Sequence, residues 1–280
     1  MVHLDSDGYE YNTNLFNFEK NINLNHLELF KQYIKDFPFP KAFEKDILYV
    51  LEGGQHFRPQ LLLAWCEYAG GDINKALPLA LAFELIHAGS LIQDDLPCMD
   101  NATTRRNKVC LHLHKSEAEA IMCGNILLSL SFSLISQLET SDSTKEKLVE
   151  ILFYAIQKMN EGQLIELTSQ PNSVENWLSV HRLKTASLIE KACEAGAIFG
   201  QGDLMLASRA ALYGHNLGLG YQIVDDLRDN DGIINFLKKD EIRKMIDKLS
   251  LALELESCAP DILKELPKKL LSNVDKNINL

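Results

Sequence analysis

The sequence is poor in proline and in the signals of β-structure. Eight of its 280 residues are proline, and none lies between Pro97 and Pro171 or between Pro171 and Pro260. Stretches without proline permit long helices, because proline removes a backbone donor and clashes with the preceding helical turn. Alternation of apolar and polar residues around an Asn-Gly or Asp-Gly hairpin turn is missing, although an Asp231-Gly232 pair occurs. These absences favour an all-α protein.

Targeting and cross-linking signals are also missing. Residues 1–19 contain neither a basic segment nor an apolar run, so we expect no signal peptide. No stretch of about 18 uninterrupted apolar residues occurs, so we expect no membrane span. The six cysteines are scattered without a Cys-x-x-Cys pair, which favours reduced thiols over a disulfide framework or a zinc site. The chain is therefore expected to be cytoplasmic.

The balance of charge is acidic. Lys and Arg total 28 whereas Asp and Glu total 39, which gives a formal net charge of −11. This balance argues against a nucleic-acid partner, which would require a positive surface. It does not exclude an anionic substrate, because bound metal ions reverse the local sign of the potential.

Apolar residues recur at helical steps of three and four along much of the chain. The clearest segments are residues 27–34, 43–51, 127–135, 148–159 and 242–253. Short breaks that separate successive helices lie at residues 37–40, 141–144 and 170–173. The nearly all-apolar segment 77–92 should lie at the centre of a bundle. We expect about ten helices in one domain over residues 1–280, with residues 1–20 as a flexible or peripheral segment.

Two clusters of aspartate follow apolar helical segments. The first comes directly after segment 77–92, and the second follows residues 217–224. Burial of carboxylates without a partner costs several kcal/mol, and a helix C-terminus is an unfavourable place for negative charge. A solvated helix end is the simplest interpretation, whereas a bound cation would remove the conflict. The residues are Asp94, Asp95 and Asp100 in the first cluster and Asp225, Asp226 and Asp229 in the second.

The second cluster makes a metal site the better hypothesis. Asp225 and Asp229 are four residues apart and therefore share one face of a helix. Two carboxylate-rich helix ends can face each other across a bundle and offer hard oxygen ligands. Such ligands, with water at the remaining positions, suit Mg²⁺ that is bound together with substrate phosphates.

Basic side chains occur close to both clusters in sequence. Arg105 and Arg106 follow the first cluster, Arg58 follows a glycine-opened turn, and Lys184 lies just before another helix. Basic groups beside aspartates favour a site that binds diphosphate. The common alternative is surface ion pairing, which contributes little to stability.

Together these motifs resemble the trans-isoprenyl diphosphate synthases, the polyprenyl synthetase family of farnesyl and geranylgeranyl diphosphate synthases. The matching motifs, in the family's order, are residues 53–59, 86–100, 105–106, 162–163, 181–185 and 221–229. The resemblance implies the isoprenoid synthase type I fold, an all-α bundle around a central cavity. It also implies a homodimeric, Mg²⁺-dependent prenyltransferase that condenses isopentenyl diphosphate with an allylic diphosphate to give farnesyl or geranylgeranyl diphosphate.

The resemblance further implies a role for each matching residue. Three Mg²⁺ ions would be held by the two clusters, directly by Asp94, Asp100 and Asp225 and with support from Asp95, Asp226 and Asp229. Contacts with the allylic diphosphate are implied for Arg105, Lys184, Thr185 and Gln222. Contacts with isopentenyl diphosphate are implied for Gln55, Arg58, His87 and Arg106. Without the resemblance, His87 would be interpreted as a core histidine, although it lies two helical turns before Asp94 on the same face.

The length of the product is predicted from the helix that ends at Asp94. In this family the residues four and five places before the first aspartate limit the depth available to the growing chain, and here they are Ser90 and Gly89. The next large side chain is Phe83, about 9 Å lower along the helix. A product of twenty carbons is therefore favoured over one of fifteen. The alternative is that Gly89 only permits close helix packing.

The sequence departs from the family pattern at several positions, of which Gln55 predicts weaker binding of isopentenyl diphosphate. Gln55 stands where the family has a lysine that contacts isopentenyl diphosphate, and Glu166 stands where an aspartate is usual. After Asp229 the chain continues almost directly into residues 233–237, whereas the family has a longer, lysine-bearing loop that helps to close the site. Lys238 and Lys239 are candidates for that lysine only because they are near.

These departures leave two further hypotheses open. The protein is either the active enzyme or a weakly active or non-catalytic regulatory subunit that forms a heteromer with an active synthase. A terpene cyclase of similar fold is a third hypothesis. Arg58 and Arg106 argue against it, because a cyclase has no second diphosphate to bind.

Overall fold

The computed structural model of the protein describes residues 24–169, 171–256, 263–265 and 268. These residues form eleven α-helices, a π-helical segment (His181–Ala186), a 3₁₀ segment (Gly232–Phe236) and an antiparallel hairpin of β1 (Thr104–Arg105) and β2 (Lys108–Val109). The helices are α1 (Leu24–Asp36), α2 (Glu44–Leu51), α3 (Phe57–Tyr68), α4 (Ile73–Asp94), α5 (Leu111–His114), α6 (Glu117–Ser136), α7 (Asp142–Ser169), α8 (Val174–Val180), α9 (Ser187–Phe199), α10 (Leu204–Asp229) and α11 (Lys239–Glu256). The all-α prediction is confirmed, and the predicted N-terminal segment lies outside the described residues.

The helix starts follow the predicted capping chemistry. Ser141 Oγ accepts a hydrogen bond from the Thr144 backbone N–H at 3.1 Å, so the predicted break before α7 is confirmed. Ser173 Oγ caps α8 in the same way through the Asn176 N–H at 3.2 Å. Capping side chains satisfy backbone donors that have no partner within the first turn of a helix.

Helix α4 lies at the centre of the bundle, as its composition predicts. Residues 79–85 are all buried, and they pack into a cluster that draws on α1, α3, α6, α7 and α9. A second cluster, around Trp65 and Tyr213, joins α3 and α9 to α10 and α11. Because α3 and α9 contribute to both clusters, they hold α4 and α10 in one arrangement.

Two helices, α4 and α6, are long and apolar enough to cross a membrane by length and composition alone. In α4, 72% of the apolar window is buried, as in the core helix of many proteins, whereas in α6 the buried share is 39%. Neither helix is a continuous apolar run in the sequence, because polar residues such as Glu84 and Asn125 interrupt them. Helix α6 therefore presents a large apolar surface outside the core.

The π-helical segment is a local widening of the chain between α8 and α9. It contains Lys184 and Thr185, and such widenings are frequent at functional sites. Gly162 of α7 lies directly against it, since a Cβ atom at this position would be 2.5 Å from the Lys184 backbone nitrogen. The absence of a side chain at residue 162 thus sets how closely α7 approaches Lys184.

This contact predicts opposite effects for two Gly→Ala substitutions. Gly162→Ala should lower the free energy of unfolding by about 1–3 kcal/mol, because the π-helical segment must move to admit the methyl group. Gly124→Ala in α6 is the control, since its Cβ would meet no atom closer than 3.7 Å. It should be neutral or stabilise by up to about 1 kcal/mol, because glycine costs more backbone entropy than alanine. Urea unfolding measures both, and an equal effect of the two would contradict the packing assignment.

Candidate active site

The two aspartate clusters lie at the C-terminal ends of α4 and α10. Asp94 is the last residue of α4, and Asp225 lies one turn before the end of α10. Burial raises the pKa of Asp94 to about 6, although the nearby charge of Lys184 opposes the shift. Burial raises the pKa of Asp225 to about 6 as well, against the opposing charge of Arg228. Both carboxylates are therefore only partly compensated by the surrounding protein.

Arg105 connects the clusters electrostatically. Its Nη2 and Nε donate to Asp95 Oδ1 at 2.7 and 3.0 Å. The same guanidinium lowers the pKa of Asp94 and of Asp225 relative to burial alone. One positive group therefore acts on carboxylates of both helices.

The remaining aspartates are engaged in different ways. Asp225 and Asp229 both pair with Arg228, at 2.6 and 2.8 Å. Asp226 is buried and accepts hydrogen bonds from Gln222 Nε2 and from the Ile233 N–H. Asp100 is exposed, and only its backbone N–H is tied to α4, through the Asp94 carbonyl at 2.9 Å.

A magnesium ion fits this set of donors. Among the residues that the structure describes, no three His, Cys, Asp or Glu side chains are close enough together to form a complete metal site. The raised pKa values of Asp94 and Asp225 nevertheless identify hard oxygen donors whose charge lacks a full counterpart, which is the environment that Mg²⁺ stabilises. The family resemblance implies that Asp94, Asp100 and Asp225 are the residues that would hold the ion.

The predicted contacts for an allylic diphosphate lie on the π-helical segment and α10. Lys184 Nζ pairs with Glu166 Oε2 at 2.6 Å, and Thr185 Oγ1 donates to Gln222 Oε1 at 2.8 Å. Lys184 and Asp94 line the same cavity, and the charge of Asp94 contributes to raising the pKa of Lys184. Glu166, which stands where the family usually has an aspartate, is thus the direct partner of the lysine for which a contact with the allylic diphosphate is implied.

The predicted contacts for isopentenyl diphosphate form a second basic group. Arg58, His87 and Arg106 act on one another electrostatically, and burial followed by the Arg58 charge holds the pKa of His87 well below its usual value. Gln55 precedes α3, and its backbone carbonyl accepts from Gln60 Nε2 at 2.7 Å. The three charged or ionisable residues, Arg58, His87 and Arg106, are thus close enough to act on one another, as the predicted group requires.

The basic group has an acidic centre that was not predicted from the sequence. Glu84 is buried in α4, and its Oε1 lies 3.1 Å from His56 Nδ1 and 3.4 Å from Arg106 Nη2. Burial favours its neutral form, but the His56 and Arg106 charges prevail and hold the pKa of Glu84 at about 2. A single acidic residue inside an otherwise apolar helix was the available signal.

The hairpin was also missed, although it carries two of the predicted arginines. Arg106 and Asn107 form its two-residue turn, and both have positive φ, at 54° and 60°. Such a turn is the type that suits hairpins, but it is normally built with Asn and Gly. Arg106 Nη1 donates to the Val50 carbonyl at 2.7 Å, which fixes the guanidinium after the turn. The Asp231-Gly232 pair instead begins the 3₁₀ segment.

A cavity of about 160 Å³ begins at Asp94 and Lys184. Gly89 and Ser90 line it, as predicted for residues that limit chain length. Phe83 does not line it and is fully buried in the core, so its predicted role as a deeper limit finds no support in the cavity walls. The apolar wall consists of Ile86, Leu128, Ile156 and Met159.

Gly89 is not required by helix packing alone. A Cβ atom at this position would lie 3.5 Å from the Gly124 carbonyl oxygen, an ordinary contact distance. Gln163 also lines the cavity, and both polar atoms of its buried amide lack a partner among the described residues. An orphaned amide in a cavity wall is a feature that sequence spacing does not reveal.

The bundle with carboxylates at the mouth of an apolar cavity is the isoprenoid synthase fold. Among solved structures, the chain resembles the geranyltransferase of Helicobacter pylori complexed with magnesium and isoprenyl diphosphate, with a TM-score of 0.78, 27% identity and coverage of 90% of this chain and 96% of that one. The profile of the polyprenyl synthetase family matches residues 40–248. The chain therefore belongs to the polyprenyl synthetase family.

Two relatives from Arabidopsis thaliana show the same relationship in sequence. Geranylgeranyl pyrophosphate synthase 9, chloroplastic, is 36% identical over 201 residues, which cover 68% of this chain and 56% of that protein. The large subunit 2 of a heterodimeric geranylgeranyl pyrophosphate synthase is 39% identical over 187 residues, which cover 64% and 50%. The chain thus spans about half the length of the curated relatives that it matches.

The raised pKa values predict a conflict between stability and function. A folded-state pKa of about 6, above the unfolded value, means that the ionised carboxylates of Asp94 and Asp225 destabilise the fold, and that this cost grows as pH rises through 4 to 6. Asp94→Asn and Asp225→Asn should therefore each raise the free energy of unfolding at pH 7 by about 1 kcal/mol after solvent screening.

The comparison has an internal and an external control. The gain should disappear below about pH 4, where the wild-type carboxyls are also neutral. Asp247→Asn, at an exposed position of α11, should show no gain at either pH. Denaturant unfolding at pH 7 and pH 4 measures the three variants, and destabilisation by both site variants at pH 7 would contradict the electrostatic description.

Proposed function

We propose that the protein is a Mg²⁺-dependent short-chain trans-prenyltransferase that condenses isopentenyl diphosphate with an allylic diphosphate. One observation carries the proposal: burial raises the pKa of Asp94 and of Asp225, on two different helices, the charge of Arg105 acts on both, and Asp94 lines a largely apolar cavity together with Lys184. A metal–diphosphate complex supplies the missing positive charge, and a prenyl chain matches the apolar wall below it. The family and its named relatives support the same reaction class.

Several residues of the site would bind the first substrate, the allylic diphosphate, each in a different way. Bound magnesium, held by Asp94, Asp100 and Asp225, would neutralise charge on the departing diphosphate. Arg105 and Lys184 remain against that diphosphate while negative charge accumulates on it, which lowers the barrier to departure. The apolar cavity receives the hydrocarbon chain and excludes water from the allylic carbocation.

The second substrate is assigned to the basic group around Glu84. Arg58, His87 and Arg106 bind the diphosphate of isopentenyl diphosphate, and Glu84 holds Arg106 in place. The double bond then attacks the allylic carbon, and the proton that is lost passes to the departing diphosphate. No protein nucleophile is needed for this sequence of steps.

The proposed assembly is a homodimer through α6 and α7. Phe153 and Leu164 of α7 are 60% and 61% exposed, and Ile121 and Met122 of α6 are exposed beside an apolar helix that is only partly buried. A second copy of the chain would cover this surface, because exposed apolar patches of this kind mark association sites. The cytoplasmic location remains a prediction.

A regulatory subunit is the second candidate function. It is favoured by Gln55, which lacks the charge that binds isopentenyl diphosphate, and by the pairing of Asp225 and Asp229 with Arg228. A relative named as a subunit of a heterodimeric synthase gives this candidate some support. In that case the chain would bind and tune an active synthase rather than turn over substrate itself.

The decisive experiment incubates purified protein with Mg²⁺, labelled isopentenyl diphosphate and each of three allylic primers of five, ten and fifteen carbons. Chromatography of the products should show elongation that chelation of the metal abolishes. Asp94→Asn should lose at least about tenfold in turnover, which corresponds to ~1.4 kcal/mol. Absence of product from every primer would contradict the enzyme hypothesis, and product only after an active synthase is added would favour the regulatory subunit.

Gln55→Lys tests the main departure from the family. The variant should lower the KM for isopentenyl diphosphate by about tenfold and leave the KM for the allylic primer unchanged, because a charge-assisted contact is stronger than a neutral one. Gln55→Met is the control and should not lower either KM. If neither constant changes in the lysine variant, residue 55 does not face the substrate.

Gly89 tests the assignment of product length. The wild type should form a twenty-carbon product, and Gly89→Tyr should shift it towards fifteen carbons without loss of the first condensation, because the phenol ring would fill the cavity below Asp94. Gly89→Ala is the matched control and should keep the wild-type product, since a methyl group fits at this position. A wild-type product of fifteen carbons that Gly89→Tyr leaves unchanged would contradict the assignment.

A further inference from the structure

Four polar side chains form a set of hydrogen bonds, here named the polar bridge, between the π-helical segment and α10. Thr185 Oγ1 donates to Gln222 Oε1 at 2.8 Å, and Gln222 Nε2 donates to Asp226 Oδ1 at 3.1 Å. The other oxygen of Asp226 lies 2.9 Å from His181 Nε2. His181 and Thr185 belong to the π-helical segment, whereas Gln222 and Asp226 belong to α10. The two elements are therefore joined at two separate points.

Asp226 also fixes the chain that follows α10. The Ile233 N–H donates to Asp226 Oδ2 at 2.8 Å, and the Asp231 N–H donates to the Asp226 carbonyl at 3.1 Å. Gly232 lies between these donors with a positive φ of 69°, and a Cβ atom there would be only 2.2 Å from Asp226 Oδ2. The Asp226 carboxylate and the short connection over residues 230–238 are thus closely packed, and glycine is the residue that permits it.

The adjacent aspartates of the second cluster have different environments. Asp226 is 7% exposed and receives hydrogen bonds on both oxygens, including one from the buried His181 when its Nε2 carries the proton. Asp225 is instead half-buried and pairs only with Arg228 among the described contacts of its carboxylate. A carboxylate with both oxygens engaged inside the protein is suited to hold structure, whereas Asp225 has oxygen capacity left for a cation.

The polar bridge joins residues close in sequence to two residues on which the proposed reaction depends. Thr185 is next to Lys184 and His181 lies three residues before it, and the charge of Lys184 acts on Asp94 of the first cluster. Asp226 is covalently next to Asp225 of the second. The bridge therefore links the segment that carries Lys184 to the helical turn that carries Asp225.

We propose that His181 and Asp226 are positioning residues that set the spacing between Lys184 and Asp225 and hold the connection 230–238 beside them. The inference rests on the proposed function, because it assigns these two residues to the binding of a metal–diphosphate complex. In this chain the polar bridge gives the short connection a fixed place without a longer loop. A displacement of about 1 Å at such a site is enough to reduce catalysis substantially.

Two substitutions of His181 form a matched pair for the test. In His181→Gln the side-chain Nε2 reaches about as far as the imidazole Nε2 and can still donate to Asp226, whereas in His181→Asn the amide is too short. The probe is inorganic pyrophosphate with Mg²⁺, and its affinity is measured by calorimetry on the folded full-length proteins. His181→Gln should stay within about threefold of the wild-type affinity, and His181→Asn should lose about tenfold, or ~1.4 kcal/mol.

Turnover provides the readout that a merely structural role would not change. kcat should fall in His181→Asn in parallel with the loss of pyrophosphate affinity. The KM for isopentenyl diphosphate should remain as in the wild type, because Arg58 and Arg106 lie outside the polar bridge. His181→Asn with lower thermal stability but wild-type pyrophosphate affinity and kcat would overturn the inference.

Gly232→Ala is the second variant and addresses the bridge from the opposite side. Its methyl group would displace Asp226, while every residue of the π-helical segment stays as in the wild type. The substitution should lower pyrophosphate affinity by about tenfold, as His181→Asn does. If His181→Asn does not fold, this variant decides, and unchanged affinity in it would overturn the inference.

The two proposals can fail separately. A wild type that binds Mg²⁺ and pyrophosphate but yields no prenyl product would contradict the proposed function, while the affinities of the His181 pair would still test the positioning role. A wild type that binds no pyrophosphate would overturn both.

Discussion

The structure depends on one electrostatic constraint, the presence of carboxylates at the buried ends of two helices. Asp94 and Asp225 lie where removal of water and the dipoles of α4 and α10 both disfavour negative charge. The apolar core around α3 and α9 holds these helix ends in place, so the protein cannot relieve the conflict by moving them. The fold therefore keeps a local deficit of positive charge, and a cationic complex that binds there gains what the protein itself does not supply.

The positively charged side chains of the site are oriented by acidic residues that are not among the three predicted direct metal ligands. Lys184 pairs with Glu166, and Arg106 lies beside Glu84. Arg105 pairs with Asp95 rather than Asp94. Each pairing orients a positive group at small cost, because the partner acid offsets part of its charge and leaves further donors free for a phosphate oxygen. Arg228 differs, since it pairs with Asp225 itself and would have to release that carboxylate when a metal ion binds.

Much of the fold was predictable because its signals are local. The apolar period of segments such as 77–92 predicts helices, and serines placed before them predict their starts. The aspartate clusters were found because acidic residues directly after an apolar helix conflict with ordinary burial. Their roles came mainly from the resemblance, since two adjacent aspartates, Asp225 and Asp226, have the same appearance in sequence.

The features that escaped prediction are those that tertiary contacts decide. The turn has Arg106 where Asn or Gly is usual and lacks the typical Asn-Gly pair, and the contact of Arg106 with the Val50 carbonyl stabilises it from outside. The π-helical segment has no apolar periodicity in the sequence from which it could be predicted. Glu84 lies inside an apolar helix, and its partner His56 is distant in sequence. Nothing in the sequence therefore indicates that the two residues pair.

The hairpin has a geometric consequence for the two substrates. Arg105 and Arg106 are consecutive, so their Cα atoms are separated by a single trans peptide unit of about 3.8 Å. In the proposed function one guanidinium contacts the allylic diphosphate and the other contacts isopentenyl diphosphate. Because both side chains start from adjacent backbone positions of one hairpin, a shift of its turn would displace both contacts together rather than one alone.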